Sequence, residues 1–311
     1  MYANVRGIKG KITGLITVLE DIQPHVFLLT ETHLQADTGI NIPNYTFHGR
    51  KREGKPGGGV GILVRNDIRI FTAVHKSTRN IEMLWLSIRR KNKPPLMLGT
   101  YYGKQECRNS KEEIEKEMTI LQEEIIEMSH EGEIIIAMDG NAKIGILDEE
   151  VSRNGKLLLK AMEDTDLEIM NCDPICQGKV TRQNTQNIDE ISAIDFIVAS
   201  SNASEWIKSM LIDEEGLYKI KGKNETDHNT IHVNISIPDI DKIKKEKFTT
   251  WNLHAPEEKW NEFAIELEKS QNAALDIIQD KSIPFETRYK KFTDIIDKAS
   301  KKEKRRKCQK Q

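Results

Sequence analysis

EIIIAMDGN, residues 133–141, is a short apolar run closed by an acid, a glycine and an amide. The run from Glu133 to Met138 reads as a strand that delivers Asp139-Gly140-Asn141 into a loop. Just upstream, Ile114, Met118, Leu121, Ile125 and Met128 recur at helical spacing and mark a long amphipathic helix. This region is strongly acidic, with 13 acidic and 3 basic side chains in 111–150, and is read as a solvated helix face. Downstream, Asn154-Gly155 opens a short helix carrying Leu157, Leu158, Ala161 and Met162, and Leu167 to Met170 returns as a strand. An apolar run with a polar residue at its end recurs along the chain. Val26 to Leu29 leads into Thr30-Glu31, and Pro95 to Tyr102 pairs with Met83 to Ile88 across the turn KNKP at 91–94. Ala193 to Ala199, Ser209 to Ile212 and Thr230 to Ile237 complete the set. Near the start, Ile12, Leu15, Ile16 and Leu19 mark a helix with Pro24 just past its end. The pattern is strand-rich with two or three helices, and its hairpins make the sheets mixed: an α/β fold.

The 311 residues are 37% hydrophobic and 31% charged, the balance of a globular chain of about two domains. Overall charge is −2, but it is unevenly placed. Residues 1–240 hold 29 basic and 36 acidic side chains, and residues 241–311 hold 18 basic and 13 acidic. Pro238 closes the strand pattern and the chain from Trp251 reads as helix only, so the domains are placed at 1–240 and 241–311. The helices of the second are expected to attach loosely, with a disordered end after about residue 300. No apolar run approaches the roughly 18 residues a membrane span requires, so no membrane is expected as a partner. MYANVRGIKG lacks the apolar core of a secretion signal. Cys107, Cys172, Cys176 and Cys308 make neither a disulfide framework nor a zinc pattern and are read as reduced thiols of an intracellular protein. The basic end KKEKRRK reads either as a nuclear-localisation or nucleic-acid patch or as a solvated charge run.

The chemistry lies in the polar residues at the strand ends: Asn4, Glu31, Tyr102, Asp139, Asn141, Asp195, Asp227 and His228. Loops held by a rigid sheet are where functional side chains usually sit. The set is rich in hard oxygen donors, which suit magnesium, and holds a histidine beside carboxylates, which suits proton transfer or charge stabilisation. Each residue alone has an ordinary reading. Asn4 and Asp139-Gly140-Asn141 make acceptable turns, and Tyr102 makes an acceptable half-buried aromatic. Glu31 and Asp195 are harder to explain, because a carboxylate at or inside a buried strand needs a partner. His228 is the histidine next to an acid; the other seven, His33 among them, read as ordinary.

Seven segments in order resemble the endonuclease/exonuclease/phosphatase superfamily, and within it the endonuclease domain of LINE-type (jockey-like) retrotransposons without long terminal repeats. They are Asn-Val-Arg at 4–6, LLTETHL at 28–34, GGGVGILV at 57–64, the Tyr102 strand end, MDGNAKIG at 138–145, SAIDFIV at 192–198 and TDHNTI at 226–231. Together they cover nearly all of residues 1–238. MDGNAKIG followed by NGKLLL at 154–159 is typical of the retroelement branch. The resemblance implies a two-layer mixed β-sandwich flanked by helices, deoxyribonuclease-like, followed by a helical extension. It also implies a magnesium-dependent endonuclease (manganese substituting) that nicks DNA at a retrotransposition target.

By the same resemblance, Asn4, Glu31 and Asp227 lie on the metal side, with Glu31 principal. Asp139 orients or deprotonates the attacking water, and Asn141 holds a phosphate oxygen. Asp195 holds the His228 ring, which donates to the scissile phosphate, and Tyr102 contacts that phosphate. Arg6 and the basic residues before the glycine cluster, Arg50, Lys51, Arg52 and Lys55, are candidate contacts to the nucleic-acid backbone. Gly57 to Gly59 are read as a mobile loop feeding an edge strand. Met138 and Thr226 stand where the family has glycine and serine. The first strand is expected to be short, leaving Asn4 poorly anchored. No polymerase domain follows in these 311 residues, so the reading is of an element cut before its reverse transcriptase. Two alternatives stay open: an inactive relic that at most binds nucleic acid, and a phosphatase or abasic endonuclease of the same fold.

Overall fold

The computed structural model describes residues 1–35, 40–68, 71–147, 150–240, 249–251, 257–280, 282–283, 285–299 and 304–306. The chain forms two compact units, Met1–Ile243 and Lys244–Gln311. The first begins with β1 (Tyr2–Asn4), α1 (Ile12–Ile22), β2 (Val26–Thr30), β3 (Tyr45–Arg50), β4 (Val60–Arg65), β5 (Phe71–Lys76), β6 (Glu82–Arg90) and β7 (Lys93–Tyr102). It continues through α2 (Lys111–Glu131), β8 (Glu133–Asp139), α3 (Arg153–Asp164), β9 (Leu167–Ile169), β10 (Cys176–Gln177), β11 (Arg182–Gln183) and β12 (Ile191–Ser192). It closes with β13 (Asp195–Ser200), α4 (Ser201–Ser204), β14 (Ile207–Ile212) and β15 (Ile231–Ile235). The second unit contains β16 (Thr249–Trp251), α5 (Glu257–Lys269), α6 (Gln271–Gln279), α7 (Phe285–Ala299) and β17 (Lys304–Arg306).

Two sheets face each other. One has seven strands in the order β10-β14-β15-β1-β2-β4-β3, and the other has six in the order β5-β6-β7-β8-β13-β9. Both are mixed: β1/β2 and β7/β8 are parallel, while β2/β4 and β8/β13 are antiparallel. The fold is therefore the expected mixed sandwich with helices on both outer faces, and the composition of its strands explains why. In β8, Ile135 and Ala137 enter the layer between the sheets, while Ile134, Ile136 and Met138 pack under α2 and α3. A strand covered on both faces carries a continuous apolar run. β2 behaves alike, with Leu28 between the sheets and Phe27 and Leu29 against α1.

Several sequence expectations need correction. The acidic helix is not simply a solvated face. Glu117 and Glu124 are buried, and Glu124 accepts from Trp85 Nε1 at 3.0 Å, Ser77 Oγ at 2.8 Å and Arg79 at 3.1 Å. These partners, distant in sequence, offset its burial. The strand after the glycines is not an edge, because β4 lies between β2 and β3. Nor is the glycine loop loose: Thr32 N and His33 N donate to Gly59 O and Gly58 O at 3.1 and 2.8 Å, and Glu82 accepts from Gly59 N. Asn4 is well anchored. Tyr2, Ala3 and Asn4 pair with Leu28, Leu29 and Thr30, and Asn4 is buried. The hairpin turn narrows to Lys91-Asn92, since Arg90 pairs with Lys93 and Asn92 takes a φ of 52°.

The second unit is not helix only, since Thr249–Trp251 pairs with Lys304–Arg306. Its helices leave Trp260, Ile265, Leu267, Leu275, Ile278 and Tyr289 exposed. Leu253, Cys308 and most of the basic end lie outside the described residues. Among those described, Cys107, Cys172 and Cys176 are free thiols, and no helix is long and apolar enough to cross a membrane.

Candidate active site

Pleat parity brings the polar strand ends together. Side chains two apart on a strand share a face. Tyr2 in β1, Leu28 in β2, Leu98 and Tyr102 in β7, Ile135 in β8 and Ile197 in β13 all face the layer between the sheets. Continuing each strand by twos puts Asn4, Thr30, Asp139 and Asp195 on the same face, at one end of that layer. Asp139 and Asp195 are direct partners across β8 and β13, and Tyr102 is level with Asp139 across β7 and β8. At this mouth the chain turns sharply: Arg6, Glu31, His33 and Asn141 take φ of 40°, 51°, 51° and 45°. Left-handed backbone at four non-glycine residues costs energy and tends to gather where a site must be held in shape.

Two hydrogen-bonded groups meet there. In the first, Asn4 Nδ2 donates to Glu31 Oε1 at 3.1 Å and to Asp139 Oδ2 at 2.8 Å, bridging the two carboxylates. Its Oδ1 accepts from Arg6 N at 3.0 Å. Glu31 also accepts from Tyr102 OH at 3.0 Å and is bonded to His33 Nε2 at 3.1 Å. Burial alone would raise the Glu31 carboxyl, but the bonds from His33 and Asn4, the charge of His228 and the Tyr102 bond outweigh it and hold it at about 2. In the second group, Asp195 Oδ2 bonds His228 Nδ1 at 2.8 Å and Asp195 Oδ1 accepts from Tyr2 OH at 2.8 Å. Burial alone would lower the imidazole, but the charge and hydrogen bond of Asp195, with Asp139 and Asp227, lift it to about 9. Asp139 joins the groups, and burial followed by the charges of Asp195 and Glu31 raises its carboxyl well above the aspartate range. Asp139, Asp195 and His228 each offer a ligand atom within 4.8 Å of the others. Since Nδ1 and Oδ2 already bond each other, the cluster also works as a held imidazole beside a spare carboxylate.

The remaining site residues are placed less directly. Asn141 N donates to Asp139 Oδ1 at 3.0 Å, and its side-chain amide donates to Gly103 O at 2.8 Å, so part of that amide is engaged within the fold. Asp227 is held by Arg182 Nε at 2.8 Å and faced by Arg6 at 3.6 Å. Of the basic residues, Arg50 donates to the carbonyls of Ser77, Met83 and Arg79, which ties its guanidinium inside the fold. Arg52 pairs with Glu82 and lies 5.1 Å from the Tyr102 ring centre. Lys51 pairs with Glu53 at 3.8 Å, and Lys55 is exposed. The expected four-residue patch is thus two internal ties and two surface lysines.

Sequence reasoning missed five participants. Tyr2 shares a strand face with Asn4, which parity would have revealed. His33, read as ordinary, meets Glu31. Thr181 Oγ1 accepts from Ile194 N and Asp195 N at 2.9 and 3.0 Å, and Asn171 bonds the β13 backbone at Asp195 O and Ile197 N. Thr181 and Arg182 lie in a stretch with no periodic signal.

A cation would meet hard oxygens here, in a cluster of four carboxylates, Glu31, Asp139, Asp195 and Asp227. Arg182 and Arg6 balance Asp227, and His228 balances Asp195. Glu31 and Asp139 stand bridged by a neutral amide, the side chain of Asn4. The donor set fits a divalent hard cation.

Residues 1–115 match the model of the Endonuclease/Exonuclease/phosphatase family. Among solved structures, the 3′-5′ exonuclease NExo from Neisseria meningitidis is 16% identical with a TM-score of 0.60, covering 76% of this chain and 98% of that one. The endonuclease domain of TRAS1, a telomere-specific non-LTR retrotransposon, is 18% identical with a TM-score of 0.57, over 76% and 97%. The AP endonuclease LMAP from Leishmania major is 13% identical with a TM-score of 0.63, over 76% and 87%. No curated protein matches the sequence. The fold is shared with all three structures, and together with the match over residues 1–115 it supports the superfamily.

Proposed function

We propose that this chain is a magnesium-dependent endonuclease that hydrolyses phosphodiester bonds in DNA, with manganese able to substitute. The observation that carries this reading is the meeting, at one mouth of the sandwich, of a carboxylate-held imidazole, a proton-seeking aspartate and a hydrogen-bonded glutamate. Asp195 fixes the tautomer and direction of the His228 ring, which leaves Nε2, 3.5 Å from Asn4 Nδ2, as the nitrogen that donates to a phosphate oxygen. Asp139 takes a proton from the attacking water, a task its raised proton affinity suits. Tyr102 holds its hydroxyl on Glu31 at the edge of the phosphate site, and Asn4 keeps Glu31 and Asp139 in register. Glu31, with Asp139 bridged to it, would hold the cation, which would supply Lewis-acid polarisation of the phosphoryl oxygen.

The finer reading, nicking of a retrotransposition target, draws support from the fold shared with the TRAS1 endonuclease domain and from the MDGNAKIG and NGKLLL segments. A reverse-transcriptase domain as a covalent partner and action in the nucleus belong to the same reading. The test is conversion of supercoiled plasmid to open circle, with magnesium and with a chelator. An abasic duplex and a 3′-phosphorylated duplex run beside it separate endonuclease, abasic-site and phosphatase activities. Nicking with magnesium and none with chelator is expected. No turnover of any substrate with magnesium or manganese would make the inactive-relic reading the better one.

A further inference from the structure

The strand β11 touches both halves of the catalytic pair. Arg182 forms an antiparallel bridge with His228. Gln183 N donates to Asp227 O at 2.8 Å, and Asn229 N donates to Thr181 O at 2.7 Å. Thr181 in turn holds the backbone of Asp195. One side chain on this strand points at the site: Arg182 Nε grips Asp227 Oδ2 at 2.8 Å, while its Nη1 is 3.5 Å from Glu190. The other Asp227 oxygen, Oδ1, lies 3.6 Å from Arg6 and 4.0 Å from His228 Nε2. That last distance is little more than 1 Å beyond a hydrogen bond. A turn of the Asp227 side chain would let it capture the edge of the ring that the phosphate needs.

We propose that Arg182, seconded by Arg6, is a positioning residue that holds Asp227 off the His228 ring, so that Nε2, which faces Asn4 Nδ2 at 3.5 Å, is not captured by that carboxylate before substrate arrives. This rests on the endonuclease reading for its catalytic consequence, while its geometric claim stands apart from activity. An aspartate next to the catalytic histidine is both close and charged, so an unheld carboxylate would find the ring before a phosphodiester did. A fork-shaped guanidinium gripping one oxygen fixes the carboxylate plane, which a point charge does less well. The backbone bridge from Arg182 to His228 makes the holder and the protected ring move as one piece.

The test is a double-substitution cycle with one structural measurement. Arg182→Gln should lower kcat for plasmid nicking about tenfold or more and leave KM within about threefold, since an obstructed ring loses the proton-donor contribution without losing DNA contacts. In an Asp227→Asn background, Arg182→Gln should cost little further, because the competing charge is gone. Arg182→Lys should give a smaller loss that vanishes in the same background, and it serves if the glutamine variant folds poorly. Independently of turnover, a crystal structure of Arg182→Gln or Arg182→Lys should show Asp227 moved from 4.0 Å to within hydrogen-bond reach of Nε2. Losses that multiply across the cycle, a rise in KM alone, or an Asp227 that stays in place would overturn the proposal. If the unmodified chain nicks nothing, the function is wrong but the structural measurement still decides the positioning.

Discussion

Tyr2 is the participant whose loss should be felt furthest from its place in the sequence. Its hydroxyl bonds Thr30 Oγ1 at 2.9 Å and donates to Asp195 Oδ1 at 2.8 Å, all out of water. Tyr2→Phe keeps the ring and the pairing with Leu28 and removes only that oxygen. Asp195 Oδ1 is then a buried charged acceptor without its donor. A hydrogen bond to a charged group contributes about 1.5–3 kcal/mol, and leaving the partner unmet exposes most of that cost. A loss near 2 kcal/mol is expected, which for a unit of this size lowers the melting midpoint by about 4–8 °C. Activity should fall less steeply. Asp195 Oδ2 still holds His228 Nδ1, so nicking is expected to drop by about tenfold or less, against about a hundredfold or more for removal of the imidazole. Thermal unfolding by circular dichroism, with matched nicking rates, reads both. A Tyr2→Phe midpoint within 1 °C of the unmodified chain would refute the reasoning, since the buried carboxylate would then be balanced without the phenol.

Asp195→Asn should resemble loss of the imidazole in nicking assays, because an unheld ring is nearly as poor as none, while filter binding to uncut DNA should persist. Glu124→Ala should lower stability by about 3 kcal/mol in chemical denaturation, since it strands Trp85 Nε1 and Ser77 Oγ inside the fold. The His228 imidazole, lifted to about 9 against an ordinary 6.5, contributes stability that is complete below pH 6.5 and lost as pH rises through 9. The gap in melting midpoint between the unmodified chain and His228→Gln should therefore shrink across that window, and a constant gap would argue against the Asp195–His228 pair. Limited proteolysis should remove the stretch beyond residue 243 and leave the first unit intact, and a protease-resistant tail would count against two separable units.

The sandwich was legible because its central strands are covered on both sides and so carry unbroken apolar runs, as β8 and β13 do. β3 was not, for YTFHGR buries only Tyr45 and Gly49 at a sheet edge and contains no apolar run. The expected site residues Asn4, Glu31, Tyr102, Asp139, Asp195 and His228 end or flank such runs, and the sheet register brings them to one end. The partners that hold them carried no comparable signal. Tyr2 lies in a three-residue strand, His33 read as ordinary, and Thr181 and Arg182 lie at the start of a two-residue strand whose placement depends on contacts with residues 227–229 far along the chain. Charge misled in two places. A run of acids on α2 concealed two buried carboxylates, and a run of bases before the glycine loop concealed two arginines turned inward.

The most direct test of the central claim compares single-turnover nicking of supercoiled plasmid by the unmodified chain and by His228→Ala, at saturating magnesium and equal DNA occupancy. The mouth of the sandwich, with Asp195 gripping one side of the ring, predicts magnesium-dependent nicking by the unmodified chain and a rate at least about a hundredfold lower in the variant, with DNA binding unchanged. Equal rates would contradict the assignment of the site, and an unmodified chain inert with both magnesium and manganese would contradict the function itself.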